Sequence, residues 1–260
     1  MENSFNIYSR IELLFGKGFV KELNSKKVII FGVGGVGSWC AEGLLRNGII
    51  NLTLVDSDNI SESNCNRQLM ATSKTIGKSK VEVLKQRLLE INPSANIEAC
   101  HKVYCKENHS DFKIENYDYC IDAIDSLKNK MDLILWATSF ENVTLFSSMG
   151  AALRIDPFMI RKAEFWKVNG DPLARALRKK MKGEHKSPAK KFFCIYSEEK
   201  PKENLGKSEY TESNINEPNA NWDKCKAQIN GSLCHITSIF GFSLAGMVME
   251  DIEEKFNKRC

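Results

Sequence analysis

Short apolar runs alternate with amphipathic stretches through the first part of the chain. Residues 28–31 (V-I-I-F) form a β-branched run of strand length, suited to burial on both faces. Residues 38–47 have helical spacing with Gly48 as a stop, and residues 52–55 are a second apolar run ending at Asp56. Residues 79–91 place Val81, Leu84, Leu88 and Ile91 on one helix, closed by Pro93. A third strand is predicted at 97–103 and a fourth at 117–124, then a helix over 127–139 and a fifth strand at 143–146. Strands alternating with helices predict an α/β class: a doubly wound, mostly parallel sheet with a Rossmann-like core.

The pattern loosens on either side. Residues 11–23 predict a short amphipathic helix, broken near Gly16 and Gly18. Beyond Gly150, residues 159–168 hold one or two strands, and Asp171-Pro172 is a helix start with a capping acid and a proline at the first position. A strand is expected at 192–196, a polar and mobile loop at 197–223, and a last helix at 232–256. This divides the chain into an arm (1–26), a nucleotide-binding core (27–150) and a C-terminal extension of the same domain (151–260).

Composition narrows the classes. A chain of 260 residues needs no disulfide staples. Its nine cysteines are odd in number, contain no C-x-x-C pair and follow no secretory signal, which points to reduced thiols, a cytoplasmic setting and no structural zinc. Residues 227–249 carry no formal charge and could span a bilayer by length, but Gln228, Asn230, His235 and Thr237 favour a buried helix over a membrane segment. The net charge is +4, yet Arg175, Arg178, Lys179, Lys180, Lys182, Lys186, Lys190 and Lys191 face a single acid, Glu184, in their run. Such a run is either a solvated face or a contact for a phosphate backbone.

Gly32, Gly34 and Gly37, with Gly35 as an extra glycine, fit G-x-G-x-x-G between the first strand and the first helix, and Asp56 lies 19 residues beyond Gly37. Glycines let the backbone approach a phosphate, the helix start offers free N–H groups, and the acid accepts from ribose hydroxyls. Arg67 and Lys80 follow closely, and Asp122 and Asp125 end the fourth strand. Two cations suit a triphosphate better than a redox dinucleotide, and Asp125 fits a Mg²⁺ ligand held together with phosphates and water. Asp122 either shares that metal or ends its strand. Asp58 is a helper at the nucleotide or a turn acid, and Asn66 a contact or a loop former. Cys65, Cys194 and Cys234 are read as incidental thiols before catalytic ones, and His235 as a structural histidine.

G-V-G-G-V-G (32–37), D-S-D (56–58), S-N-C-N-R-Q (63–68), G-K-S-K (77–80) and D-A-I-D-S (122–126) resemble the motifs of the ubiquitin-activating-enzyme-like adenylating enzymes, which include the ThiF and MoeB types. The resemblance implies that Asp56 holds ribose, that Asn64, Arg67 and Lys80 contact phosphates, and that Asp125 holds Mg²⁺. The stretch S-R-I-E-L-L-F-G (9–16) is similar to the family's arm, which implies a homodimer with Arg10 reaching the partner's ATP. Zinc knuckles usual in ThiF and MoeB types are missing. The arm, F-C-I-Y-S-E-E-K-P (193–201) and G-S-L-C-H-I (231–236) resemble instead the tRNA threonylcarbamoyladenosine dehydratases. That branch implies ATP-dependent cyclisation of threonylcarbamoyl-adenosine 37 in tRNA through an acyl-adenylate; the alternative is adenylation of a ubiquitin-like or sulfur-carrier protein. It also gives Arg175, Arg178, Lys179, Lys180 and Lys182 a reading as tRNA contacts, and leaves room for a sulfur-relay protein partner.

Overall fold

A computed structural model of the chain describes residues 7–205 and 230–259. Seven strands form one sheet in the order β3-β2-β1-β4-β5-β7-β6. They are β1 (Lys27–Phe31), β2 (Asn51–Val55), β3 (Asn96–Cys100), β4 (Tyr119–Asp122), β5 (Thr144–Ser148), β6 (Ile160–Glu164) and β7 (Phe193–Ser197). All neighbours pair in parallel except β6, which runs antiparallel to β7 at the edge. The strand order reverses between β1 and β4, and the crevice beyond their carboxyl ends is where open α/β sheets take ligands.

One face carries α2 (Lys17–Ser25), α3 (Gly37–Arg46), α4 (Lys80–Ile91) and α7 (Cys234–Asn257), whose apolar sides join Val28, Ile30, Leu52 and Leu54 in one core. The other carries α5 (Leu127–Thr138) and α6 (Pro172–Gly183) against Ile29, Phe31, Cys120 and Leu145. Alternate residues of β1 therefore serve opposite cores, which is why its run is apolar throughout.

The observed strands are shorter than the expected third and fourth, because pairing ends at Cys100 and Asp122, where the chain turns into the crevice. In the arm the break falls at Gly16 alone, whose φ of 82° separates α1 (Ser9–Phe15) from α2, while Gly18 is helical. The stretch 159–168 forms one strand, β6, then a single 3₁₀ turn at Phe165–Lys167. Asp171 caps α6 by accepting from the Ala174 amide at 2.8 Å, with Pro172 in the first turn. Among the described residues no helix is long and apolar enough to cross a membrane. Most of the loop expected at 197–223 lies outside the described residues.

Helix α7 lies directly on the start of α3. A Cβ on Gly241 would come 2.5 Å from the Val36 oxygen and 2.9 Å from the Cys40 nitrogen, so only a glycine lets the two backbones meet there. Gly43 makes the reciprocal notch, with Ala245 and Phe242 at 3.1 Å from its Cβ position.

Candidate active site

The glycine loop is the floor. Gly32 has a φ of 84°, and a Cβ there would sit 2.7 Å from the Ala123 oxygen on the neighbouring turn. A Cβ on Gly37 would overlap the Gly32 oxygen, so strand, loop and helix close on each other only without side chains. Gly34 differs, since its Cβ position has ordinary clearance, with Gln68 Nε2 at 3.7 Å. At Gly35 the nearest atoms are Arg67 Cγ and Thr237 Cβ, both at 3.3 Å. Among the described residues the amides of Gly34 and Gly35 donate to nothing, just ahead of the α3 terminus. Free N–H groups at such a place form an anion cradle.

Asp56 stands beside that cradle, accepting from the Val33 amide at 2.9 Å and from the Asp58 amide at 2.9 Å. Burial pushes its carboxyl above the ordinary range; the Lys80 charge and the two amides pull against that, while Asp58 adds to it. Lys80 arrives from the first position of α4 because residues 59 and 79 pair as an isolated bridge and Lys80 N donates to Asp58 O at 3.1 Å. A cation at a helix start opposes the helix dipole. Asp58 compensates, at 2.7 Å from Nζ, with the lysine side chain only 7% exposed. A buried cation in an unfavourable place, paired with the acid whose amide binds Asp56, is the signature of a site under functional constraint.

Arg67 packs on the glycine loop at Gly35. Its Nη1 donates to Ser63 O at 2.8 Å and to Asn66 Oδ1 at 2.9 Å, and Trp39 Nε1 donates to its carbonyl at 3.0 Å. Asn66 in turn donates to Ser232 O at 2.9 Å, tying this loop to the lead-in of α7. Burial lowers the Arg67 pKa, and the charge of Asp125 offsets part of that. Asp125 is exposed. Asn64 is buried and accepts from the Ser61 amide at 3.2 Å, so its carbonyl oxygen caps the turn that carries Arg67. Arg10 is exposed on α1, a helix with no buried residue, beside Leu13 at 80% and Leu14 at 73% exposure.

Asp122 and Asp125 part company. Asp122 is fully buried and paired with Lys130 Nζ at 2.9 Å, with Ser147 Oγ donating to it at 2.6 Å. The structure therefore takes the strand-ending reading of Asp122, not the shared-metal one. Among the described residues no three His, Cys, Asp or Glu side chains gather. A cation here would be held by one protein carboxylate, Asp125, with phosphates and water completing the shell, an arrangement that suits Mg²⁺. ATP fits as well: a free-amide cradle, an acid for the ribose, and two cations, one packed on Gly35 and one paired with Asp58.

Of the cysteines, Cys65 and Cys234 are exposed, whereas Cys194 is buried, which pushes its thiol far above the ordinary range and leaves it unsuited to nucleophilic work. His235 is exposed, with Nε2 3.0 Å from Ile155 O, a structural contact. In the basic run, Arg175, Lys179 and Lys182 share one exposed face of α6. Arg178 is turned inward, donating to Phe165 O and Val168 O at 2.9 and 2.8 Å, and Lys190 spends its ammonium on carbonyls that include Phe140 O and Val143 O. Sequence reasoning missed Trp39, Gln68 and Lys130. A lone tryptophan just inside the glycine-led helix was the available signal for the first; Gln68, adjoining Arg67, is buried with its Oε1 unpartnered. A cavity of about 280 Å³ between Ile29, Thr53, Glu98, Phe112 and Tyr117 includes none of these residues.

The family model described as ThiF matches residues 8–246. The chain belongs to the ThiF family. This ThiF-family chain is 38% identical over 194 residues to the tRNA threonylcarbamoyladenosine dehydratase of Bacillus subtilis, covering 75% of each. It is 36% identical over 195 residues to the protein of that name from Haemophilus influenzae, covering 74% of each. Among solved structures, the Escherichia coli tRNA N6-threonylcarbamoyladenosine dehydratase TcdA in complex with ATP is similar at a TM-score of 0.82 and 26% identity, over 97% of this ThiF-family chain and 96% of that one. The same enzyme with AMP gives 0.80 and 28%.

Proposed function

We propose that this chain is an ATP-dependent tRNA threonylcarbamoyladenosine dehydratase, acting in the cytoplasm as a homodimer. The observation that carries the reading is the set of charges around the free glycine amides: Asp56 accepting from Val33 with the Lys80–Asp58 pair at the next acid, and Arg67 packed on Gly35. The names of the relatives supply the substrate class. Residues 27–150 then act as the adenylation core, and 151–260 as its substrate and dimer extension.

In this reading Asp56 accepts from the ribose, the Gly34 and Gly35 amides take phosphate oxygens, and Asn64 shapes the turn that delivers Arg67. The threonylcarbamoyl carboxylate attacks the α-phosphorus and pyrophosphate leaves; an internal nitrogen of the substrate then attacks the acyl carbon and AMP leaves with the carboxylate oxygen. The product is the ring, one water poorer. Arg67, Lys80 and Arg10 from a partner copy offset the negative charge that builds on the phosphates. Mg²⁺, held by Asp125, neutralises phosphate charge when bound. No enzyme nucleophile is needed, because the attacking atoms belong to the substrate, and catalysis is positioning with charge stabilisation.

The tRNA backbone is assigned to the exposed face of Arg175, Lys179 and Lys182; Lys180 lies off that face, 3.8 Å from Glu184, and Arg178 contributes by fixing α6. A sulfur-relay protein is a further partner to look for in pull-downs. The deciding experiment is nucleoside analysis of tRNA bearing threonylcarbamoyl-adenosine after incubation with the protein, ATP and Mg²⁺. A cyclised nucleoside formed with AMP and pyrophosphate is expected. Unchanged tRNA, with ATP consumed only on adding a carrier protein ending in Gly-Gly, would replace this reading with carrier adenylation.

A further inference from the structure

Lys130 is the least expected charge in the molecule. It lies in the first turn of α5 and is 0% exposed, as is its partner Asp122. Its ammonium is shared between Asp122 Oδ2 at 2.9 Å and the carbonyl of Ile124 at 3.0 Å. Asp122 Oδ1 accepts from the Ile124 amide at 3.2 Å. Both backbone groups of Ile124, the residue just before Asp125, are therefore fastened to this one buried pair. Ser147 of β5 completes it, donating to Asp122 Oδ2 at 2.6 Å.

The same turn is held from the other side. Ala123 N donates to Phe31 O at 2.9 Å, and the Ala123 carbonyl is the atom that a side chain on Gly32 would strike. The turn is thus clamped between the cradle's first glycine and the buried pair, with Asp125 as the next exposed group. A buried ion pair is a poor device for stability, since its desolvation cost offsets its attraction, and apolar residues of similar volume often serve as well. Its advantage here is directional: the ammonium donates to the Ile124 carbonyl and the carboxylate accepts from the Ile124 amide, so one pair holds the peptide units on both sides of that residue, which packing alone cannot do.

We propose that Lys130 and Asp122 are positioning residues for the adenylation step, setting the turn that carries Asp125 against the glycine loop and Arg67. The inference rests on the role given to Asp125 above. It predicts that loosening the pair impairs turnover and Mg²⁺ use while nucleotide affinity stays, because the cradle and Asp56 are untouched.

Two variants test it: Asp122→Asn, which keeps the shape and removes the charge, and Lys130→Met combined with Asp122→Leu, which replaces the pair with apolar groups. The readouts are thermal unfolding, hydrogen exchange at residues 123–125 without nucleotide, ATP affinity, and pyrophosphate release as a function of Mg²⁺. Folded variants should bind ATP within about threefold of the parent, exchange those amides about tenfold faster, and turn over at least about tenfold more slowly with half-saturation shifted to higher Mg²⁺. A folded variant with parental exchange and parental turnover overturns the proposal. So does failure of both variants to fold, which makes the pair a requirement of the fold alone. If the parent protein itself releases no pyrophosphate with ATP and tRNA, the adenylation reading falls instead, and exchange at 123–125 still judges the clamp.

Discussion

Gly34→Ala separates the fold from the phosphate site at a single methyl group. Gly34 has no positive φ, and the new Cβ would find its nearest neighbour, Gln68 Nε2, at 3.7 Å, an ordinary contact. The substitution should stabilise the chain slightly, by about 0.4–1 kcal/mol through the unfolded state, which raises Tm by about 1–4 °C for a protein of this size. Nucleotide binding should move the other way. If the methyl keeps a phosphate oxygen from the free amides, one charge-assisted hydrogen bond of about 1.5–3 kcal/mol is lost, a rise in ATP Kd of about 10- to 150-fold. Gly32→Ala is the control in the opposite sense, since φ of 84° and a backbone oxygen at 2.7 Å make it a folding defect of at least about 3 kcal/mol. Calorimetric titration with ATP and thermal unfolding of both variants decide the matter. An unchanged Kd in Gly34→Ala, or a lowered Tm, would refute the cradle as drawn.

Arg67→Ala and Asp125→Ala should each lower pyrophosphate formation by at least about a hundredfold with Tm within a few degrees of the parent, as neither side chain is part of a core; parental activity in either removes the assignment. Binding of tRNA should weaken with salt at a log–log slope of about −0.7 to −0.9 per neutralised phosphate, and replacing Arg175, Lys179 and Lys182 with alanine should flatten it by about two to three units. Parental slope in that triple variant would place the contact elsewhere. Burial pushes Glu42 up, but hydrogen bonds from Arg87 and Arg46 win and hold its carboxyl below the usual glutamate range. Its contribution is complete above the unfolded value near about 4.3 and drains away as the pH falls through the lower folded value, so Glu42→Gln should cost about 1.5–3 kcal/mol at pH 7 and narrow the gap to the parent in acid. Denaturant titration at several pH values checks this; a pH-independent gap contradicts it.

What could be read from sequence follows the physics that is local. The strand at 28–31, the glycines after it and Asp56 lie close along the chain, and their spacing alone implies a turn that presents amides to a phosphate. Arg67, Lys80 and Asp125 were legible as a set because their motifs stand in order, although the return of Lys80 to Asp58 depends on a bridge between residues 59 and 79 that no periodicity signals. Lys130 was not legible. In L-K-N-K-M-D it looks like any solvated lysine of a helix, and its burial exists only where β4 and β5 place Asp122 and Ser147 beneath it. Arg178 shows the same limit in reverse: it belongs to a cationic run by composition, but carbonyls of the preceding 3₁₀ turn capture it. The grip of α7 on α3 was hidden too, since Gly241 is one more small residue in an uncharged stretch until the opposing backbone is known.

That grip has a bearing on how the protein is made. The ribosome releases the phosphate-binding loop first, and the helix that braces it, meeting Val36 at Gly241 and Gly35 at Thr237, follows only after the rest of the sheet. A nascent chain therefore holds an unfinished nucleotide pocket until Thr237 and Gly241 have been made. Messages cut short ahead of the Thr237 codon would yield polypeptides with every motif for ATP and no competent place to put it.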